Sequence, residues 1–201
     1  MINRLAFPKT QSFLTVLKYT DIRSYTFTVA FISLAVATPW VFHQFHLAGP
    51  TFLPMHIFVL VAGLLFGWRA GLMVGLFTPL ASYAISGMPV IKILPQIVLE
   101  ISVYGLAAGI LREKFNLRVI WSLIGAMIAG RLSLLLTVVI IQFISREIYS
   151  PLGLQANPLA VLWSMIALGW PGIVIQLAFI LPIIKLVEKF LDKSGTARKR
   201  K

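Results

Sequence analysis

Long apolar runs, divided by short polar or proline- and glycine-bearing connections, organise this chain. The first run covers about 24–45 and is broken by a charge-free connection, His46–Pro54, that holds two prolines and a glycine. Runs over about 55–66 and 72–85 are short and separated only by Gly67-Trp-Arg-Ala-Gly71, which predicts a tight helical hairpin thinner than an ordinary bilayer crossing. Gly87-Met-Pro89 punctuates the next connection, and a fourth run over about 93–111 stops at the basic stretch Arg112–Arg118. A fifth run covers about 119–144. A polar loop over 145–158 then carries Arg146, Glu147 and Asn157, and a sixth run covers about 159–186 ahead of a basic tail over 187–201. This pattern predicts an all-α polytopic membrane protein of six transmembrane helices, a single integral membrane domain over residues 1–201.

Composition agrees with that reading. Of the 201 residues 59% are hydrophobic and 12% charged, a balance that leaves no room for a separate soluble domain. Cysteine is absent, which excludes disulfides and thiolate metal sites. The location of the charges is more informative than their sum. Fifteen of the 18 Lys and Arg fall on one side of the alternating runs, Lys92 and Arg146 fall on the other, and Arg131 lies inside the fifth run. This asymmetry predicts cytoplasmic N- and C-termini in a multi-pass protein of the cell membrane. The opening residues 1–23, with Arg4, Lys9, Lys18 and Arg23, lack the layout of a signal peptide and read as a cytoplasmic amphipathic lead-in. The terminal cluster Arg198–Lys201 reads as topology and attraction to anionic lipid, with no nucleic-acid partner.

Chemistry for turnover is missing. The chain has no Gly-x-x-x-x-Gly-Lys-Ser/Thr loop and no His-Glu-x-x-His pair, and its aspartates, Asp21 and Asp192, stand outside the apolar runs. No catalytic residue, metal or cofactor is expected, and an enzyme is not the reading. Polarity within the runs is a different matter, because a charge at mid-bilayer costs at least ~2.5–3.5 kcal/mol and marks function by default. Gln96, Glu100 and Tyr104 follow i, i+4, i+8 and share one face of the fourth run. Glu100 lies about ten residues from the cytoplasmic end of its run and Arg131 about twelve from the start of the next. At 1.5 Å per residue the depths are ~15 and ~18 Å, so the two side chains are predicted to share one level and one interior. Gln142 returns to the face of Arg131 eleven residues on. Two readings stand: a helix-to-helix ion pair, or the polar floor of a ligand site completed on the outer side by His56 and Asn157 near Trp163 and Trp170. Packing or interfacial anchoring would equally account for His56 and the tryptophans.

Small residues form two further patterns. Thr26, Ala30, Ser33 and Ala37 make one stripe on the first run, a groove for an internal neighbour or a separate subunit. Gly63, Gly67, Gly71 and Gly75 recur every four residues and, with Gly105 and Gly109, are expected to serve internal packing.

The stretch Leu53-Pro-Met-His-Ile-Phe-Val-Leu-Val-Ala-Gly-Leu-Leu-Phe-Gly67, followed by Ala70-Gly-Leu-Met-Val-Gly-Leu76, Ser86-Gly-Met-Pro89 and Leu99-Glu-Ile-Ser-Val-Tyr-Gly-Leu-Ala-Ala-Gly109, resembles the substrate-binding S components of energy-coupling-factor (ECF) vitamin transporters. The resemblance implies high-affinity capture of a vitamin or related micronutrient, and association with a transmembrane coupling (T) subunit and two cytoplasmic ATPase subunits that supply ATP hydrolysis. It implies a site in the outer half, for which Gln96, Glu100, Arg131, Gln142, Asn157 and Trp170 are candidates together with Tyr104, and with His56 and Met88 near the lid. Members of that family meet the coupling subunit through small residues of the first span, often Ala-x-x-x-Ala; here Thr26-x-x-x-Ala30 and Ser33-x-x-x-Ala37 stand in its place. An Arg131 free for ligand would suit an anionic vitamin such as niacin or pantothenate, and one neutralised by Glu100 would suit a neutral or cationic ligand. The other classes are a stand-alone secondary transporter or channel, for which no internal repeat is evident, and a non-catalytic membrane scaffold.

Overall fold

In the computed structural model, which describes residues 22–44, 53–145, 149–150, 153–154 and 157–198, the chain folds into helices joined by short turns. Arg4, Lys9, Lys18, Asp21, His46, Arg146, Glu147 and the last three residues of the tail lie outside the described residues. Among those described there are six helices: α1 (Ile22–Gln44), α2 (Pro54–Phe66), α3 (Trp68–Ser86), α4 (Leu94–Glu113), α5 (Val119–Ser145) and α6 (Pro158–Arg198). Where the pattern predicts a plain polar loop after α5, two-residue strands β1 (Tyr149–Ser150) and β2 (Gly153–Leu154) pair antiparallel, Tyr149 opposite Leu154 and Ser150 opposite Gly153. Three stretches are long and apolar enough to cross a membrane, Leu94–Glu113, Val119–Ile144 and Pro158–Leu186, and Tyr25–Val41 and Pro54–Phe66 are shorter apolar helices.

The helix ends follow from local chemistry. Proline stands in the first turn of α2 and of α4, where its missing N–H would have no intrahelical partner. Asn157 caps α6 by accepting a hydrogen bond from the Ala160 N–H at 2.8 Å. A single residue, Gly67, joins α2 to α3 at φ 88°, a conformation that excludes a Cβ, and a Cβ there would also collide with the Glu113 carboxylate. That carboxylate accepts the Trp68 N–H at 3.3 Å, placing a negative group on the start of α3.

Packing centres on α2. Its sequence is apolar on every side, the signature of a surrounded helix, and it touches α1, α3, α4, α5 and α6. Leu60, Leu64 and Leu65 of α2 meet Ala108 of α4, Leu123 and Ala126 of α5, and Ile180 and Ile184 of α6 in the main core. The helices α2, α3 and α4 approach through glycine, as the four-residue repeat predicts. A Cβ on Gly75 would lie 2.7 Å from the Ile101 carbonyl oxygen, and a Cβ on Gly63 would lie 2.5 Å from that of Gly105. Gly71 and Gly105 face each other so closely that a methyl group on either would strike the other's backbone.

The length of α2 creates the room for a site. Thirteen residues make a helix ~20 Å long, about 10 Å short of a hydrocarbon core. Its neighbours continue past its N-terminal end, and the space they enclose is left open there.

Candidate functional site

A cavity of about 310 Å³ lies at that end of α2. Leu53 to His56 form its base. Pro39 and Trp40 come from the end of α1, Ser82 and Ser86 from the end of α3, Met88 to Val90 from the connection, Ile93, Ile97, Glu100 and Ile101 from the start of α4, and Met165 from the start of α6. All these segments belong to one end of the bundle. Arg69 near the start of α3, Arg112, Lys114 and Arg118 at and after the end of α4, and Lys185 and Lys189 far along α6 belong to the other. The cavity therefore sits at the end poor in basic residues.

The wall is mainly apolar. Three of its side chains are polar and nearly excluded from solvent: Ser82, 3% exposed, His56, 6% exposed, and Glu100, 1% exposed. His56 is fixed by the first turn of α2, where its N–H reaches the Leu53 carbonyl at 3.1 Å, and its ring meets the edge or face of Tyr104 at a centroid distance of 4.9 Å and 87° between planes. Neither imidazole nitrogen has a hydrogen-bond partner among the described residues. Leu53 turns the chain into α2 with φ 49°, an uncommon conformation for a bulky residue, and its buried side chain contributes to the cavity wall.

Behind the wall stands the ion pair. Arg131 Nη1 donates to Glu100 Oε1 at 2.8 Å, joining α4 to α5 at the common level that the residue depths predict. Glu100 faces the cavity and Arg131 does not line it. The Arg131 Nε and Nη2 atoms are buried without partners, and Nη2 lies against Gly169 of α6, 3.3 Å from where a Cβ would stand.

The other expected residues are placed as follows. Gln96 and Tyr104 are buried on the Glu100 face of α4, 2% exposed each, adjoining the site without lining the cavity. Gln142 is half-buried on α5 and stands apart from the cavity lining. Asn157 is exposed and occupied as the cap of α6, and Trp170 points outward from the bundle at 60% exposure. Met88 lines the cavity at its open side, 44% exposed. The structure thus brings His56, Met88 and Glu100 to one cavity and keeps Arg131 as the second layer behind it. Residues not anticipated are Trp40, Ser82, Ser86 and the apolar Met55, Ile97 and Met165. Of these, Ser86 and Met55 carried a signal, Ser86 at the head of Ser86-Gly-Met-Pro89 and Met55 within the stretch from Leu53 to Gly67.

The stripe on α1 points away from the bundle. Thr26, Ala30, Ser33 and Ala37 are all exposed, while Ala35, Val36 and Pro39 turn inward.

A family model described as ECF transporter, substrate-specific component, matches residues 27–184, well over half of the chain. No curated protein and no solved structure matches it.

Proposed function

The chain belongs to the substrate-specific components of ECF transporters, and on that premise we propose that it captures a vitamin or related micronutrient in the cavity at the N-terminal end of α2. It acts as the membrane-embedded binding subunit of an importer and performs no covalent chemistry. The observation that carries this reading is the cavity itself: about 310 Å³, within the range of small-molecule sites, mostly apolar, with three buried polar side chains, Ser82, His56 and Glu100, on its wall.

In this reading six helices cross the cell membrane and both termini face the cytoplasm. Support comes from the charge distribution, since the cavity shares its end of the bundle with Lys92 whereas Arg69, Arg112, Lys114, Arg118, Lys185 and Lys189 gather at the other. The cavity then opens to the outside, where solute is collected. Energy comes from partners, a transmembrane coupling subunit and two cytoplasmic ATPases. The outward stripe Thr26, Ala30, Ser33 and Ala37 supports α1 as the surface that meets the coupling subunit, because small side chains allow a second helix to approach closely.

The test is mass spectrometry of small molecules released by denaturing the full chain after gentle purification in detergent. A stoichiometric micronutrient-like compound is the expected result. An empty protein that also shows no thermal shift with a vitamin panel would defeat the capture reading.

A further inference from the structure

The cavity presents the acidic member of the Glu100–Arg131 pair and withholds the basic one. An anionic ligand would meet the Glu100 carboxylate before it met Arg131, whose guanidinium is turned to Glu100 and Gly169. A carboxylate with one oxygen engaged by arginine still has acceptor sites to offer. Beside it His56 is 94% buried by its 6% exposure, lines the same cavity and leaves both ring nitrogens without partners among the described residues. Buried nitrogens in that condition are costly unless something satisfies them.

Size and wall texture narrow the occupant further. An apolar cavity near 150 Å³ holds one benzene, so about 310 Å³ takes a molecule of roughly a dozen heavy atoms. Met55, Met88 and Met165 with Trp40 provide soft thioether and aromatic surface of the kind that packs against a ring.

Resting on the capture reading above, we propose that the occupant is a compact ring-bearing molecule without an anionic group, uncharged or cationic, which donates a hydrogen bond to Glu100 and engages an imidazole nitrogen of His56. The carboxylate and the imidazole fix its orientation, and the methionines cover its ring. Arg131 is a positioning residue that holds Glu100.

The test uses the full chain in detergent. The compound released on denaturation is identified and its charged groups read from its structure; a molecule of up to about fifteen heavy atoms with no carboxylate, phosphate or sulfonate is expected. Where nothing is retained, thermal shifts are compared for two matched pairs, nicotinamide against nicotinate and pyridoxine against 4-pyridoxate, with stabilisation expected only from the non-acidic members. A stoichiometric anionic compound, or a shift with an acid, overturns the charge assignment and leaves capture standing. No retained compound and no shift with any of the four overturns both. His56→Phe keeps the ring contact with Tyr104 and removes the two unpartnered nitrogens. It should therefore raise the melting temperature of the empty protein while weakening binding of the retained compound, or of the stabilising probe, about tenfold or more. Parental binding in His56→Phe would overturn the role of His56.

Discussion

Arg131→Met tests whether the pair behind the cavity wall is a linked unit. Glu100 is 1% exposed and Arg131 9%, and among the described residues their direct contact, 2.8 Å long, is the only one that satisfies the guanidinium. Removing the arginine strands a buried carboxylate, and breaking a buried pair from one side costs about 3–5 kcal/mol. For a chain of this length each kcal/mol corresponds to about 2–4 °C, so a fall of roughly 6–20 °C in the melting temperature is expected. Glu100→Leu alone should produce a comparable fall by leaving the guanidinium buried and unpaired. The double variant, Glu100→Leu with Arg131→Met, replaces both charges with apolar groups of similar bulk and should recover most of the loss, since apolar replacement of a buried pair is often neutral. The assay is thermal unfolding of the purified full chain in detergent, run as a double-mutant cycle with a coupling energy of about 2 kcal/mol or more expected. Additive losses, or a single variant within about 2 °C of the parent, would show that each charge is satisfied independently and would refute the reasoning.

Four further outcomes follow from the packing. Gly71→Ala places a methyl group against the Gly105 backbone, forcing α3 from α4, and should lower stability by about 1–3 kcal/mol in the same melt; Gly125→Ala meets only the flexible end of Leu111 and should cost much less, and equal losses would contradict glycine-mediated approach at Gly71. Glu113→Gln removes the negative charge from the start of α3 and should cost about 0.3–1 kcal/mol, visible as faster amide exchange at Trp68 and Arg69; unchanged exchange would show that the carboxylate contributes nothing there. Leu53→Gly relieves the positive φ but empties a buried part of the cavity wall, so binding should weaken more than stability falls, and tighter binding would contradict a packing role for this side chain. Ala30→Leu and Ser33→Leu fill the exposed stripe of α1 and should leave binding intact while reducing co-purification with the coupling module; undiminished association would remove that face from the interface.

Elements with a strict geometric rule behind them were legible in the sequence. Glu100 and Arg131 could be placed at one level because both helices rise by the same increment from ends marked by the Arg112–Arg118 connection, and they meet at 2.8 Å. The four-residue spacing of Gly63, Gly67, Gly71 and Gly75 announced a close helix approach, and Gly105 receives Gly63 and Gly71. The facing of α6 was not legible. Val161, Met165, Gly169, Gln176 and Ile180 point inward while Trp163 and Trp170 point out, yet apolar residues occupy both faces, since one meets lipid and the other the bundle. A rule that reads water against core has no contrast to work with there. Gln176 was the one polar mark on the inward face, and the tryptophans drew attention to the wrong one.

The cavity itself depended on a relation between helices that no single segment displays. The short run of α2 reads as a thin hairpin member, and on its own it predicts only a shallow crossing. Surrounded by α1, α3, α4, α5 and α6, the same shortness becomes an absence at the centre of the bundle, because the neighbours extend beyond the point where α2 begins. What lines the gap is then fixed by chain direction. The end of α1 and of α3 and the start of α4 and of α6 must border the start of α2, which brings Trp40, Ser86, Ile97 and Met165 to one place from segments with no shared motif. His56 enters the wall by standing in the first turn of the short helix, and Glu100 by standing almost two turns into α4. A chain with two additional helical turns before Met55 would keep nearly every apolar run and every glycine contact of this one and would fill the space where ligand belongs.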